Sequence, residues 1–508
     1  MSMTPLRANT LIELIAAGAD AAPALFAPGT PALNYGSLRG LVARTRASLN
    51  GHGIGRNDRV AIVLPNGPEM ATAFIAMASS ATAAPLNPSY RSDEFKFYFE
   101  DLRAKALVVE AGSTSPALEV ARELGIRVLT LQPEPAQGAG SFALVGDGHG
   151  PCVAGPAAPD DIALILHTSG TTSRPKIVPL TQRNVSVSAG NIAEALAFTA
   201  TDCGLNIMPL FHIHGLMAGV LAPLSAGSKV FCTPGFNALR FFAWMDEAKP
   251  TWFTAVPTMH QAILSRAAGN RDIIKQHPLR FMRSSSSSMP PQVIAEMEQT
   301  FGAPLIEAYG MTEAAHQMAS NPLRGKRIPG SVGLAAGPQV ALMNEAGLLL
   351  KPGETGEIVI RGANVTSGYE ANPQANASAF TNGWFRTGDQ GTIDDEGYIS
   401  LTGRLKEIIN RGGEKISPRE VDEVLMDHPS VRQAVVFGVK HDKLGEDVAV
   451  VIVLREGTSA TETDIRQFVS ARLAPYKVPR KVLFMEQIPL GATGKLQRIG
   501  LAAKLGLE

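Results

Sequence analysis

Along the N-terminal third of the chain, short apolar runs alternate with stretches of helical period. Arg59 to Leu64 is apolar and is stopped by Pro65-Asn66-Gly67-Pro68, which predicts a strand and then a turn. From Glu69 onward the text is rich in Ala and Met and predicts a buried helix. Phe95, Tyr98, Phe99 and Leu102 recur at i, i+3, i+4 and i+7, one face of a helix. Ser92 is its expected N-cap, with Asp93 and Glu94 in the first turn. Ala106 to Val109 follows as a strand, and Ile162 to Leu166 as a buried strand. This rhythm predicts an α/β fold with largely parallel sheets. Residues 131–160, rich in Pro, Gly and Ala, read as a surface connection.

The texture changes from about residue 330 to 402, where short strands such as Glu357 to Arg361 lie between Gly-rich turns, predicting a small β-rich subdomain. A break near Gly403-Arg404 precedes a helix from about Pro418 to Asp427, strands Ala434 to Val439 and Val448 to Leu454, and a helix from about Glu462 to Leu473. That second helix places Ile465, Phe468, Val469 and Leu473 on one side. The expected organisation is a large domain over 1–402 with the β-rich part at 330–402, a hinge at 403–407, and a small α+β lid domain over 408–508. The serine run Ser284 to Ser288 lies between a strand ending near Met282 and a helix beginning near Pro290, so it reads as a tight turn rather than a linker.

A length of 508 residues is too long for one core. Lys plus Arg equals Asp plus Glu at 46 each, which argues against a broadly basic nucleic-acid surface while leaving room for a local cationic groove. Cys152, Cys203 and Cys232 are widely spaced and form no CxxC pair, so neither a disulfide framework nor a zinc site is expected. Reduced cysteines, a first twenty residues without signal-peptide layout, no long apolar span and a Gly506-Leu507-Glu508 end point to a cytoplasmic protein.

Five segments carry candidate chemistry. His167 to Lys176 places five hydroxyl side chains, a glycine and a lysine after a buried strand. That is a phosphate grip by composition, though not a Walker A loop, and it also fits a plain surface loop. Tyr309-Gly310-Met311-Thr312-Glu313 sets a hydroxyl beside a carboxylate, suited to a phosphate and Mg²⁺, and equally reads as a helix start. Asp389, in Gly383 to Asp389, suits two ribose hydroxyls or a simple Asx turn. Gly403 to Pro418 is basic and carries Gly412-Gly413, as a functional loop or a charged linker would. Lys495, in Gly491-Ala492-Thr493-Gly494-Lys495, alone fits a surface charge.

In order and spacing these five segments resemble the acyl-adenylate-forming family of acyl-CoA synthetases, luciferases and adenylation domains, from about residue 30 to 500. The family usually has glycine where this chain has Ser173 and Ile177. The resemblance implies a mobile C-terminal domain and a two-step reaction. A carboxylate first attacks the α-phosphate of ATP, releasing pyrophosphate, and the thiol of coenzyme A then displaces AMP. It further implies that Thr168, Ser169, Gly170, Thr171, Thr172 and Lys176 form the phosphate loop. Ser286 and Ser287 fall in the adenine-binding turn, with Glu307, Ala308 and Tyr309 flanking the adenine. Thr312 would touch the α-phosphate and Glu313 hold Mg²⁺. Asp389 and Arg404 would bind ribose, Lys406 would be the hinge residue, Gly412 and Gly413 would complete the coenzyme A tunnel, and Lys495 would bridge the attacking carboxylate and the α-phosphate.

Pro209 to Gly215 resembles the family's acyl-pocket segment, with His212 expected among the catalytic residues. His214, Ser284, Ser285 and His316 are expected to bind the acid. This text resembles the oxalate–CoA ligase branch, whose mark is a histidine three residues after the Thr-Glu glutamate, here His316. A dicarboxylate would leave one carboxylate buried and charged. Leaving it unpaired costs several kcal/mol, and each hydrogen bond to it contributes about 1.5–3 kcal/mol, so two or three donors are needed. A buried anion would also favour protonated histidines. A medium-chain or aromatic acid, with the histidines as packing groups, is the other reading, as is an adenylation enzyme that loads a carrier protein.

Overall fold

A computed structural model describes residues 8–168, 175–489 and 498–507. The chain divides into two compact units, one of residues 1–168, 176–340 and 360–380, the other of 169–175, 341–359 and 381–508.

The first unit holds two large sheets. One runs Phe142–Gly146, Arg127–Pro133, Ala106–Glu110, Arg59–Val63, Thr82–Pro85, Ile162–Thr168, Lys176–Thr181, parallel in its interior and antiparallel at both edges. The other has nine strands, with a parallel centre of Leu305–Met311, Phe281–Ser284, Trp252–Ala255, Cys203–Asn206, Lys229–Cys232 and Pro23–Ala27. Sheets covered on both faces need strands that are apolar throughout, which is why these runs show little alternation. The helices Pro68–Ala78 and Gln182–Ala195 touch strands of both sheets. Pro68–Ala78 is buried along nearly its whole length, as a helix packed on two sides must be.

Two expectations are corrected. Ser92 is the first helical residue, not the cap; the cap position is Arg91, whose backbone N–H donates to the Glu94 carboxylate at 2.9 Å. Residues 131–160 are not simply a connection, because Phe142–Gly146 pairs antiparallel with Arg127–Pro133 as an edge strand. The helix Ser92–Leu102 does bury Phe95, Phe99 and Leu102, and the serine run does join the strand Phe281–Ser284 to the helix Pro291–Phe301. Among the described residues, no helix is long and apolar enough to cross a membrane.

In the second unit, Trp384–Ile393 pairs with Ile399–Arg404 within a five-stranded sheet. The C-terminal sheet is built on the long hairpin Val431–His441 and Gly445–Leu454. Its side chains alternate faces with period two. Ala434, Val436 and Val450 pack under the helices Pro418–Met426 and Glu462–Ser470, while Val435, Phe437 and Val451 pack with Ile488 and Leu501.

Ile177, which stands where the resembling family usually has glycine, pairs with His167 and is buried in a cluster with Phe95, Phe99 and Ile165. The position is a core site in this chain. Ile177→Ala is expected to cost about 2–5 kcal/mol, read as a lower urea midpoint.

Candidate active site

Ligands of open α/β sheets bind beyond the carboxyl ends of the parallel strands. Three neighbouring strands of the nine-stranded sheet bring polar residues to that end, with Thr254 in register with Arg283 and Ser284 in register with Glu307. Beyond these ends, the short helix Ile213–Leu216 carries His214, and the antiparallel strand His316–Ser320 opens with His316 in register with Met311.

Arg283 lies at the centre of this cluster and is fully buried (0 % exposed). Its Nη1 lies 3.3 Å from His214 Nε2 and 3.4 Å from Thr254 Oγ1; its Nη2 lies 3.1 Å from His316 Nε2 and 3.2 Å from Gln317 Oε1. The two imidazoles stack with centroids 4.9 Å apart and 20° between their planes. Among the described residues no carboxylate pairs with Arg283, and its Nε has no hydrogen-bond partner. Burial alone pushes the guanidinium down to about 9, so it is still charged at neutral pH. A guanidinium only donates, so both Nε2 atoms must accept. In this arrangement both imidazoles accept from Arg283, which carries the positive charge of the cluster.

His214 Nδ1 lies 3.0 Å from Ser286 Oγ, and Ser286 is exposed with φ +74°. The other serines point elsewhere. Ser285 donates to the Ala308 carbonyl at 2.9 Å, and Ser284 Oγ is buried without a partner among the described residues. Of the expected acid-binding residues the structure thus groups His214 and His316, and adds Ser286, which the sequence assigned to the adenine turn. His212 precedes the short helix, its ring tilted by 51° to that of Phe211 with centroids 4.5 Å apart.

A second cluster forms around Tyr369. Its hydroxyl donates to Glu313 Oε1 at 2.8 Å, and Lys176 Nζ lies 4.3 Å from the centre of its ring. Burial and the adjacent Glu313 carboxylate push the Tyr369 phenol well up, keeping it a donor. Thr312 opens the turn Thr312–Ala314, and Glu313 is 5 % exposed. The turn closes through Ala315 and His316, both with positive φ (48° and 96°). Such conformations cost about 1–3 kcal/mol each in a non-glycine residue and are held only by their surroundings. Gly310 makes the turn possible: a Cβ there would stand 1.8 Å from the His316 carbonyl oxygen. Glu307, Ala308 and Tyr309 are buried on the same strand.

Thr168 pairs with Lys176 across the ends of their strands. Ser169, Gly170, Thr171 and Thr172, like Lys495 and the departure at Ser173, lie outside the described residues. Ser287 is exposed in the turn after Ser286. In the second unit Asp389 and Arg404 are cross-strand partners, Nε to Oδ1 3.1 Å. Lys406 is exposed in the turn Leu405–Glu407. Gly412 and Gly413, with φ 62° and 99°, form a two-residue hairpin loop between Ile409–Arg411 and Glu414–Ile416, a geometry that favours glycine at both places.

Arg283, Thr254, Gln317 and Tyr369 were missed by motif reasoning. For Arg283 a signal existed in the text: a charged residue ending an apolar strand. Tyr369 is joined to Glu313 only through the fold.

The AMP-binding enzyme model matches residues 13–370, and the model for the AMP-binding enzyme C-terminal domain matches 420–495. The chain is 44 % identical to an oxalate–CoA ligase of Arabidopsis thaliana over 96 % of each chain. It is 41 % identical to an oxalate–CoA ligase of Saccharomyces cerevisiae over 87 % of this chain and 86 % of that one. Among solved structures, ATP-bound MatB from Rhodopseudomonas palustris is similar with a TM-score of 0.87 and 28 % identity, covering 98 % of both chains. A family model spanning well over half of the chain and relatives of this similarity agree with the two site clusters and the motif order: the chain belongs to the AMP-binding enzyme family.

Proposed function

We propose that the protein is an ATP-dependent oxalate–CoA ligase that forms oxalyl-adenylate and then oxalyl-CoA, releasing pyrophosphate and AMP. The observation that carries this reading is the polar cluster of His214, Ser286 and His316 at the carboxyl ends of the strands, where a fatty or aromatic acid would call for apolar walls. The names of the curated relatives in a plant and a yeast support the same acid and the same thiol.

The residue roles follow from charge. In-line attack by one anion on another gathers negative charge at the α-phosphate, so cations and donors placed there supply most of the stabilisation. Lys176 and Thr312 are assigned to the phosphates. Glu313 is assigned to Mg²⁺, an ion that takes few protein carboxylates and whose charge offsets that of the phosphates. Its fit rests on a buried carboxylate held at Oε1 by the Tyr369 hydroxyl. Glu307, Ala308 and Tyr309 are assigned to adenine, and Asp389 and Arg404 to ribose. Lys495 is assigned to the carboxylate and α-phosphate in the first step only, Lys406 to a hinge at 403–407, and Gly412-Gly413 to coenzyme A, with 408–508 as a mobile lid. The proposed compartment is the reducing cytoplasm, in keeping with three free cysteines.

In a pyrophosphate-release assay with a panel of acids, oxalate is expected to exceed acetate, malonate, octanoate and benzoate; a lead for octanoate or benzoate would sink the assignment. Lys495→Ala should abolish adenylation yet spare thioester formation from pre-made adenylate, whereas equal loss of both half-reactions would remove its assigned role. Tyr369→Phe removes one hydrogen bond to a carboxylate, worth about 1.5–3 kcal/mol. It should raise the Mg²⁺ concentration for half-maximal activity by about tenfold, measured by Mg²⁺ titration at saturating ATP.

A further inference from the structure

A buried charge lacking an opposite charge is costly, and proteins retain one where a ligand completes it. Arg283 is such a group: fully buried, with four neutral acceptors and no carboxylate among the described residues. The imidazole behind it is neutral as well. His260 Nε2 meets the Arg283 carbonyl oxygen at 3.1 Å, and burial pushes His260 down to about 4.

The direction of the hydrogen bonds follows from the guanidinium. A proton on His214 Nε2 or His316 Nε2 would set N–H against N–H, so each ring carries its proton on Nδ1. His214 Nδ1–H then donates to Ser286 Oγ at 3.0 Å, and the single lone pair of His214 Nε2 is shared between the Thr254 hydroxyl at 2.7 Å and Arg283 Nη1 at 3.3 Å. With its oxygen already accepting, Ser286 turns its own hydroxyl proton away from His214, on the exposed side of the cluster.

We propose that Arg283 is the specificity-determining positioning residue of the acid pocket: its buried charge selects a dianionic acid, and its donation into His214 and His316 locks both rings as Nδ1–H tautomers so that Ser286 offers a proton to the substrate carboxylate. This rests on the reading of the substrate as a small dicarboxylate. Arg283 acts through its neighbours and touches no reacting atom.

The test uses the full-length enzyme and its Arg283→Met and Arg283→Lys variants. Imidazole ¹⁵N spectra of the wild type, taken without substrate, should show the two stacked histidines as neutral Nδ1–H tautomers, with Arg283→Met moving them toward Nε2–H. Arg283→Met should raise KM for oxalate about 30-fold, the factor for one lost interaction with a charged group, while KM for ATP stays within about threefold. Arg283→Lys keeps the charge but has one nitrogen for two rings, and should fall between. An oxalate KM within about threefold of wild type in Arg283→Met, or wild-type spectra showing Nε2–H rings or imidazolium, overturns the proposal. If Arg283→Met does not fold, the wild-type spectra and the Lys variant decide it. Because the spectra need no substrate, failure of the oxalate assignment in the acid panel is distinguishable from failure of the tautomer lock.

Discussion

A guanidinium placed in a dry interior has to be solvated by the protein itself. Each of its N–H groups needs an acceptor, and a missing one costs about 1–3 kcal/mol or more for a charged group. Around Arg283 that requirement gathers side chains from four stretches distant in sequence: His214, Thr254, and the adjacent His316 and Gln317, with Arg283 itself on the strand Phe281–Ser284. None of the acceptors is anionic, so the cluster solvates the charge without neutralising it. What stays uncompensated is available to an anion arriving at the carboxyl ends of the strands.

The same region has little freedom to move away from this arrangement. Gly310 lets the strand Leu305–Met311 lie against the His316 carbonyl, and Ala315 and His316 take up left-handed backbone conformations to turn the chain back. The turn delivers Glu313 to Tyr369 on one side and His316 to Arg283 on the other. A short span of sequence therefore serves both clusters. Misplacing either by about 1 Å is enough to impair such chemistry substantially.

Much of this was legible before any coordinates. The apolar runs marked the parallel strands because sheets covered on both faces bury nearly every strand position. The order of the motifs around Lys176, Glu313, Asp389 and Arg404 pointed to the family. Other features depended on tertiary context. The capping of Ser92–Leu102 passed to Glu94 because its carboxylate reaches back to the Arg91 N–H. Ile177 looked like a departure inside a phosphate loop, and only the fold reveals it as a core residue beside Phe95 and Phe99. The roles within the serine run were not readable from composition: Ser285 turns inward to the Ala308 carbonyl while Ser286, at φ +74°, meets His214. Nor did the text show that Arg283 sits between the two histidines and donates to both.

Oxamate keeps the size and one carboxylate of oxalate but replaces the other with a neutral amide. Rates of adenylate formation with the two acids, compared as kcat/KM in ATP–pyrophosphate exchange, ask directly whether the pocket is built for a second negative charge. An uncompensated cation beside the non-reacting end predicts at least a hundredfold preference for oxalate, about 2.7 kcal/mol. Equal rates with oxalate and oxamate would contradict it.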